Sequence, residues 1–178
     1  MRWLTLVTVF LVVSSDNLIA DETPKKIKPV VVWSGKDSGV AKETFNRCQS
    51  DKEWSATWDA HQNEGGQAGQ PSPTIDFDSH MVIALFQGKG SQNWGLFIHE
   101  IQDERDRLRI RFITGYYQTA SIPESETDRL KLQTQSYAIV VLPKCDKEVV
   151  FEEATDRDAE RRPSKWKERG KLKPVNAK

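Results

Sequence analysis

Three histidines, His61, His80 and His99, are the side chains best suited to acid–base or metal chemistry, but their wide, even spacing forms no helical pair of metal ligands. His80 has closer company. Asp76, Asp78 and His80 lie at alternate positions, which on a strand would set all three on one face as a small metal or acid/base cluster. A hydrolase with a dispersed site around His80 and Asp76 is the enzymatic reading of that pattern. The structural reading is the stronger one, because both aspartates stand where a loop leads into a strand and Asp there caps backbone amides. No Gly-x-Ser-x-Gly elbow, phosphate-cradling glycine loop or dinucleotide fingerprint occurs. No catalytic residue, no metal and no cofactor is therefore assigned.

Cys48 and Cys145 are the only cysteines, and neither has a neighbour at metal-ligand spacing, which excludes a zinc framework. In an oxidising compartment they could close one long loop, a constraint that chain entropy values at roughly 4 to 5 kcal/mol. The alternative is two separate thiols. Recognition has its own candidates. Trp94 follows the polar stretch Ser91-Gln92-Asn93, and Gly115-Tyr116-Tyr117-Gln118 follows an arginine-rich segment. Trp94, Tyr116 and Tyr117 thus stand beside loops, where binding sites concentrate and aromatic rings supply contact area.

The elements that must position these residues are readable from periodicity. Ser50-Asp51-Lys52-Glu53 is a capping box, and the spacing predicts a helix from Asp51 to about Gln62. Trp54, Trp58 and His61 share one stripe of it, which is core at helical spacing. Asn63 to Thr74, rich in Gly, Gln, Ser and Pro, reads as a loop. From Ile75 the period changes to two. Met81 to Phe86 is nearly continuously apolar, as a strand buried on both faces would be, and Trp94 to Ile101 alternates. Leu108, Ile110 and Phe112 point one way while Arg107, Arg109 and Arg111 point the other. That arginine row reads as a solvated face paired with Asp103, Glu104 and Asp106 rather than as an anion patch. Tyr137 to Leu142 and Val149 to Phe151 complete the strands. Short turns and a single helix predict an α+β fold, an antiparallel β-meander of about five to six strands with one α-helix packed on one face.

The ends of the chain differ from its middle. Met1-Arg2 followed by the apolar run Trp3 to Val13 spans only about 16 Å as a helix, which is half a bilayer core and fits a secretory signal better than an anchor. Cleavage after Ser15 or after Ala20 would leave a small residue, and Ala20 is preferred because charged sequence begins at Asp21. The sequence has 178 residues, with 26 basic and 26 acidic side chains, so its net charge is zero and bulk nucleic-acid binding is disfavoured. The balance hides an asymmetry, since from Arg161 onward eight basic residues face the single acid Glu168. Such a tail could touch an anionic wall or membrane surface or fold onto its own acidic domain. A charged, disordered tail over 157–178 is the expectation.

Glu53-Trp54 with Trp58, the segment Ile75-Asp76-Phe77-Asp78, the strand Met81-Val82-Ile83-Ala84, a strand from Gly95, a charged hairpin and Pro143-Lys144 closing a strand together resemble the PrcB C-terminal-like family. The resemblance covers about residues 44 to 152. It implies a non-catalytic secreted or periplasmic module, accessory to a secreted bacterial protease complex. The expected organisation is a signal peptide over 1–20, an N-terminal arm or extra strand over 21–42, a PrcB-like α+β domain over 43–156 and the tail. The expected partner is another extracytoplasmic protein such as a protease, with no nucleic acid and no transmembrane segment after the signal is removed.

Overall fold

Met81–Phe86 and Ala138–Leu142 are unbroken apolar runs, and strands of that composition are stable only where both faces are covered. The computed structural model, which describes residues 23–63, 70–91, 93–116, 125, 133–156 and 163–175, covers both faces of both runs. Along the described chain the elements are β1 (Lys25–Lys26), β2 (Val31–Gly35), β3 (Thr44–Cys48), α1 (Asp51–Gln62), β4 (His80–Phe86), β5 (Gly90–Ser91), β6 (Asn93–Asp103), β7 (Arg107–Tyr116), β8 (Gln133–Thr134), β9 (Tyr137–Pro143), β10 (Glu148–Ala154) and β11 (Trp166–Leu172). One sheet runs in the order β2-β9-β4-β3 and a second in the order β1-β6-β7-β10-β11, while β5 and β8 form a small ribbon.

The molecule is a three-layer stack. Met81, Ile83, Leu85, Ala138, Val140 and Leu142 face the second sheet, where Leu96, Leu108, Ile110, Phe112, Val149 and Phe151 meet them. From the opposite face of the same strands, Val82, Ala84, Phe86, Ile139 and Val141 pack under α1. Each fully buried side chain of this kind contributes about 1.5 to 3 kcal/mol. The helix begins as expected: Ser50 Oγ accepts from the Glu53 amide at 3.4 Å, and Glu53 Oε2 accepts from the Gln49 amide at 2.7 Å. Trp54 and Trp58 face the sheet, where Trp54 stacks on Trp33 of β2 and Trp58 meets it edge-on, with both centroid separations 6.0 Å. Their indole N–H groups donate to Pro73 and Gln70 carbonyls, tying down the chain before β4.

Three expectations are corrected. The fold is mostly β, with 53% strand against 10% helix, and not an α+β meander with one helix on one face. A single meander with one helix leaves the other face of Met81–Phe86 in water, so the later strands form a second sheet that covers it. The chain returns from the second sheet to place β9 between β2 and β4, then crosses again so that β10 lies parallel to β7. Next, part of the expected disordered tail is β11, paired antiparallel to β10. Its lack of apolar period is that of a largely solvated edge strand, held by backbone pairing, by Gly170 and Leu172 against the core, and by carboxylates that Arg169 and Lys171 meet. Last, Cys48 and Cys145 are free thiols rather than a bridge. Cys48 lies in the layer under the helix, whereas Cys145 packs against the core between the sheets, so the side chains face different layers.

The segment over 21–42, expected as an arm or an extra strand, carries both β1 and β2. The proposed signal over 1–20 lies outside the described residues. No described helix is long and apolar enough to cross a membrane.

Candidate functional site

The end of the sandwich at which β4, β7 and β10 finish is built differently from the dry core beneath it. Among the described residues the second sheet has three β-bulges, and each frees one side chain from strict alternation. Opposite β7, Asn93 pairs with Tyr116 and Gly95 with Gly115, so Trp94 is the extra residue. Its indole lies against Gly115, where an added Cβ would come within 2.6 Å of the ring, and its centroid is 4.5 Å from that of Phe97. The glycine is needed for this close approach. Trp94 stays 41% exposed, and Tyr116 beside it is 57% exposed. Partial burial, with the neighbouring Glu153 charge, raises the Tyr116 hydroxyl above its ordinary pKa.

A second bulge, between Phe151 and Glu152, leaves Arg169 of β11 as the extra residue. It turns toward the sandwich end, where its guanidinium donates to Glu153 and, at 2.8 Å, to Glu43 ahead of β3. Glu153 is 8% exposed and also accepts from Thr114 Oγ1 at 2.5 Å. Burial alone would lower the Arg169 pKa, but the Glu153 and Glu43 carboxylates outweigh it and hold the guanidinium charged. The arrangement ties the two sheets together across their edges. Nearby, Asn93 Nδ2 donates to Gln87 Oε1 at 2.9 Å, while Asn93 Oδ1 and Ser136 Oγ are buried without a partner among the described residues. The space enclosed by Phe45, Leu85, Leu96, Phe112, Glu153 and Arg169 is about 10 Å³, room for a water and not for a substrate. What this end offers a ligand is its rim.

The third bulge, between Ile98 and Glu100, re-aims His99 to within 5.4 Å of the Trp166 ring on the outer face of the sheet. There the arginine row is neutralised. Arg109 pairs with Glu104 and Glu152, and Arg111 pairs with Glu152 and Glu100 while lying 5.0 Å over Trp166. Glu104 and Asp106 pair with the row as expected, Asp106 with Arg107; Asp103 pairs instead with Lys147, and Glu100 and Glu152 join the row in addition.

At the other end of the sandwich, Asp76, Asp78 and His80 are not three residues of one strand. Only His80 belongs to β4, and the aspartates sit in the turn before it. Asp76 accepts from the Asp78 amide at 3.1 Å and from Ser79 Oγ at 2.6 Å, and these bonds lower its pKa. His80 Nδ1 is 2.6 Å from the same hydroxyl. The hydroxyl thus lies between carboxylate and imidazole, whereas a nucleophilic triad needs the imidazole between hydroxyl and carboxylate so that it can take the proton. Asp76 serves as a turn cap. Among the described residues no group of three or more His, Cys, Asp or Glu side chains could hold a metal ion.

Of the recognition candidates, the structure brings Trp94 and Tyr116 to one rim, and Tyr117 lies outside the described residues. The sequence reading missed Glu153, Arg169, Glu43 and Thr114. Their bonds run between segments far apart in the chain, and the bulge that turns Arg169 inward leaves no mark in local spacing. Neither a protein-family model, nor a curated protein, nor a solved structure matches this chain.

Proposed function

We propose that this chain is an exported, non-catalytic binding module that engages another extracytoplasmic protein through the aromatic rim. The observation that carries the reading is the pair Trp94 and Tyr116, each with large exposed aromatic area, set by a bulge and a glycine on a sheet end where the described residues enclose a space of only about 10 Å³. Rigid, partly exposed aromatics are the residues that anchor protein interfaces. The resemblance of residues 44 to 152 to the PrcB C-terminal-like family supports a partner of the protease-complex kind. The apolar run at the N-terminus supports export.

The test is a pull-down from the native cell envelope with the wild-type protein and with Tyr116→Ala and Trp94→Phe, folding being checked by melting temperature. A stoichiometric partner retained by the wild type and lost by both variants is the expected result. Mass spectrometry of the native protein should show an N-terminus near Asp21. Turnover in a broad hydrolase screen, abolished by His80→Ala, would replace this reading with the enzymatic one.

A further inference from the structure

Sheet edges present unpaired backbone groups, and proteins normally shorten, charge or cover them. Of the edges of the two main sheets, β1 is two residues long, β11 carries Lys167, Glu168 and Lys171, and β3 lies against β11, with Phe45 within van der Waals reach of Gly170. The edge formed by β2 is different. It pairs with β9 on one side, and no described strand pairs with its other side. Val30, just before it, and Val31 and Val32, on opposite faces at its start, are 61%, 36% and 46% exposed, three consecutive apolar residues open to solvent.

This apolar centre is bracketed by charge. Lys28 and Lys36 are exposed, and neither meets a carboxylate within ion-pair distance among the described residues. Asp37, next to Lys36, forms a backbone bridge to Gln135, and its charge adds to burial in raising the pKa of the Tyr137 hydroxyl. Two like charges flanking a short apolar strand select a partner. A second copy of this chain, paired antiparallel about Val32, would set Lys28 opposite Lys36 twice, and like charges directly opposite destabilise a strand pair. A segment that is apolar in its centre and acidic at both ends meets the valines with its side chains and the lysines with its carboxylates.

We propose that β2 is a docking edge for an extended peptide segment of that chemistry, which adds to the four-stranded sheet as a further strand beside β2. This goes beyond the rim assignment and does not depend on it, since Tyr116→Ala alters the rim and leaves β2 untouched.

The probes are two synthetic peptides with the same alternating Val-Thr core, one flanked by two Glu at each end and one by two Lys. Each is titrated into the protein expressed from the full-length sequence, and amide signals are followed by NMR. The acidic peptide should shift the amides of Val31 to Gly35 saturably. In the double variant Lys28→Glu/Lys36→Glu its affinity should fall by roughly tenfold or more and the lysine-flanked peptide should bind better. Both lysines are exposed, so an unchanged melting temperature verifies the fold of the variant. Three results overturn the proposal: no shift along β2 with the acidic peptide, equal shifts with both peptides, or β2 shifts that follow protein concentration without peptide, which assign the edge to a second copy.

Discussion

Buried in the layer between α1 and the four-stranded sheet, His61 Nδ1 lies 3.1 Å from Ser38 Oγ, and the imidazole centroid is 4.2 Å from that of Tyr137. Burial lowers its pKa below the ordinary imidazole value. The unfolded chain therefore binds the His61 proton more tightly than the folded one, so stability is full above the unfolded value of about 6.5 and falls as pH drops through it. Melting curves should show the midpoint falling from pH 7 toward pH 5, and His61→Gln should flatten that slope; an unchanged slope would remove His61 as its cause. The carboxylates with depressed pKa values, Asp76, Glu100 and Asp156, titrate below this window. A second expectation concerns the thiols. Cys48 is buried with its thiol 3.3 Å from Thr57 Oγ1, and burial raises its pKa, whereas Cys145 is half-buried. Alkylation without reductant should label Cys145 in the native protein and Cys48 only after denaturation; labelling of neither until a reductant is added would restore the bridge. The inward stripe of Trp54, Trp58 and His61 was legible in the sequence because a helix has one period and one buried side. The side to which each cysteine points was not, since it depends on the register of strands distant in sequence. Trp94 illustrates the same limit: the sequence sets it beside a loop as a contact residue, whereas in β6 its ring covers Gly115, so its removal also costs packing.

Among the elements, β11 departs furthest from what its residues suggest. Trp166-Lys167-Glu168-Arg169-Gly170-Lys171-Leu172 alternates poorly and is charged, which in isolation describes a solvated tail. It forms because β10 offers an unpaired edge and the body of the chain offers carboxylates, with Asp156 fixing the turn-in through bonds from Ser164 that lower its pKa to about 2. The bulge at Arg169 then lets one guanidinium join Glu153 of one sheet to Glu43 beside the other. Glu153 is the buried member. Arg169→Met should cost about 1 to 3 kcal/mol, because it leaves a desolvated carboxylate with only the Thr114 hydroxyl. The same substitution in a Glu153→Gln background should cost less, which a double-mutant cycle by denaturant unfolding measures. Lys171→Met is the internal control. Lys171 is 57% exposed and 3.8 Å from Glu148, so its loss should change stability by less than about 0.5 kcal/mol. Equal losses for Arg169→Met and Lys171→Met would show that the sheets are not tied at this point.

At the scale of the whole molecule, stability is set by the two strands that belong to both cores. Every residue of β4 after His80, and Ala138 to Leu142 of β9, contacts one of the two clusters or is wholly buried between them, so neither strand can open without exposing apolar surface on both faces. The edges have no such constraint: β2, β1 and β11 each pair on one side only among the described strands. The apolar run Met81–Phe86 announced a doubly covered strand in the sequence, and Tyr137–Leu142, read there only as a further strand, is covered on both faces as well. What covers them was not legible, because β6–β7 and β10–β11 pair as neighbours in sequence but the pairing that joins them into one sheet, β7–β10, is parallel and runs between segments far apart in the chain. Native-state hydrogen exchange should therefore rank the amides in layers. Those of β4 and β9 should exchange only through global unfolding, with protection that tracks the full stability of the protein as denaturant is added. Those of β2 and β11 should exchange through local openings that respond weakly to denaturant. Trp58→Ala, which removes one of the two indoles that hold α1 on the sheet at a cost of about 3 to 5 kcal/mol, should lower protection in β4 and β9 by that full amount while leaving the openings of β11, which it does not touch, nearly unchanged. If β9 amides exchanged as freely as those of β2, the two clusters would not share a common floor and the three-layer account of the stability would fail.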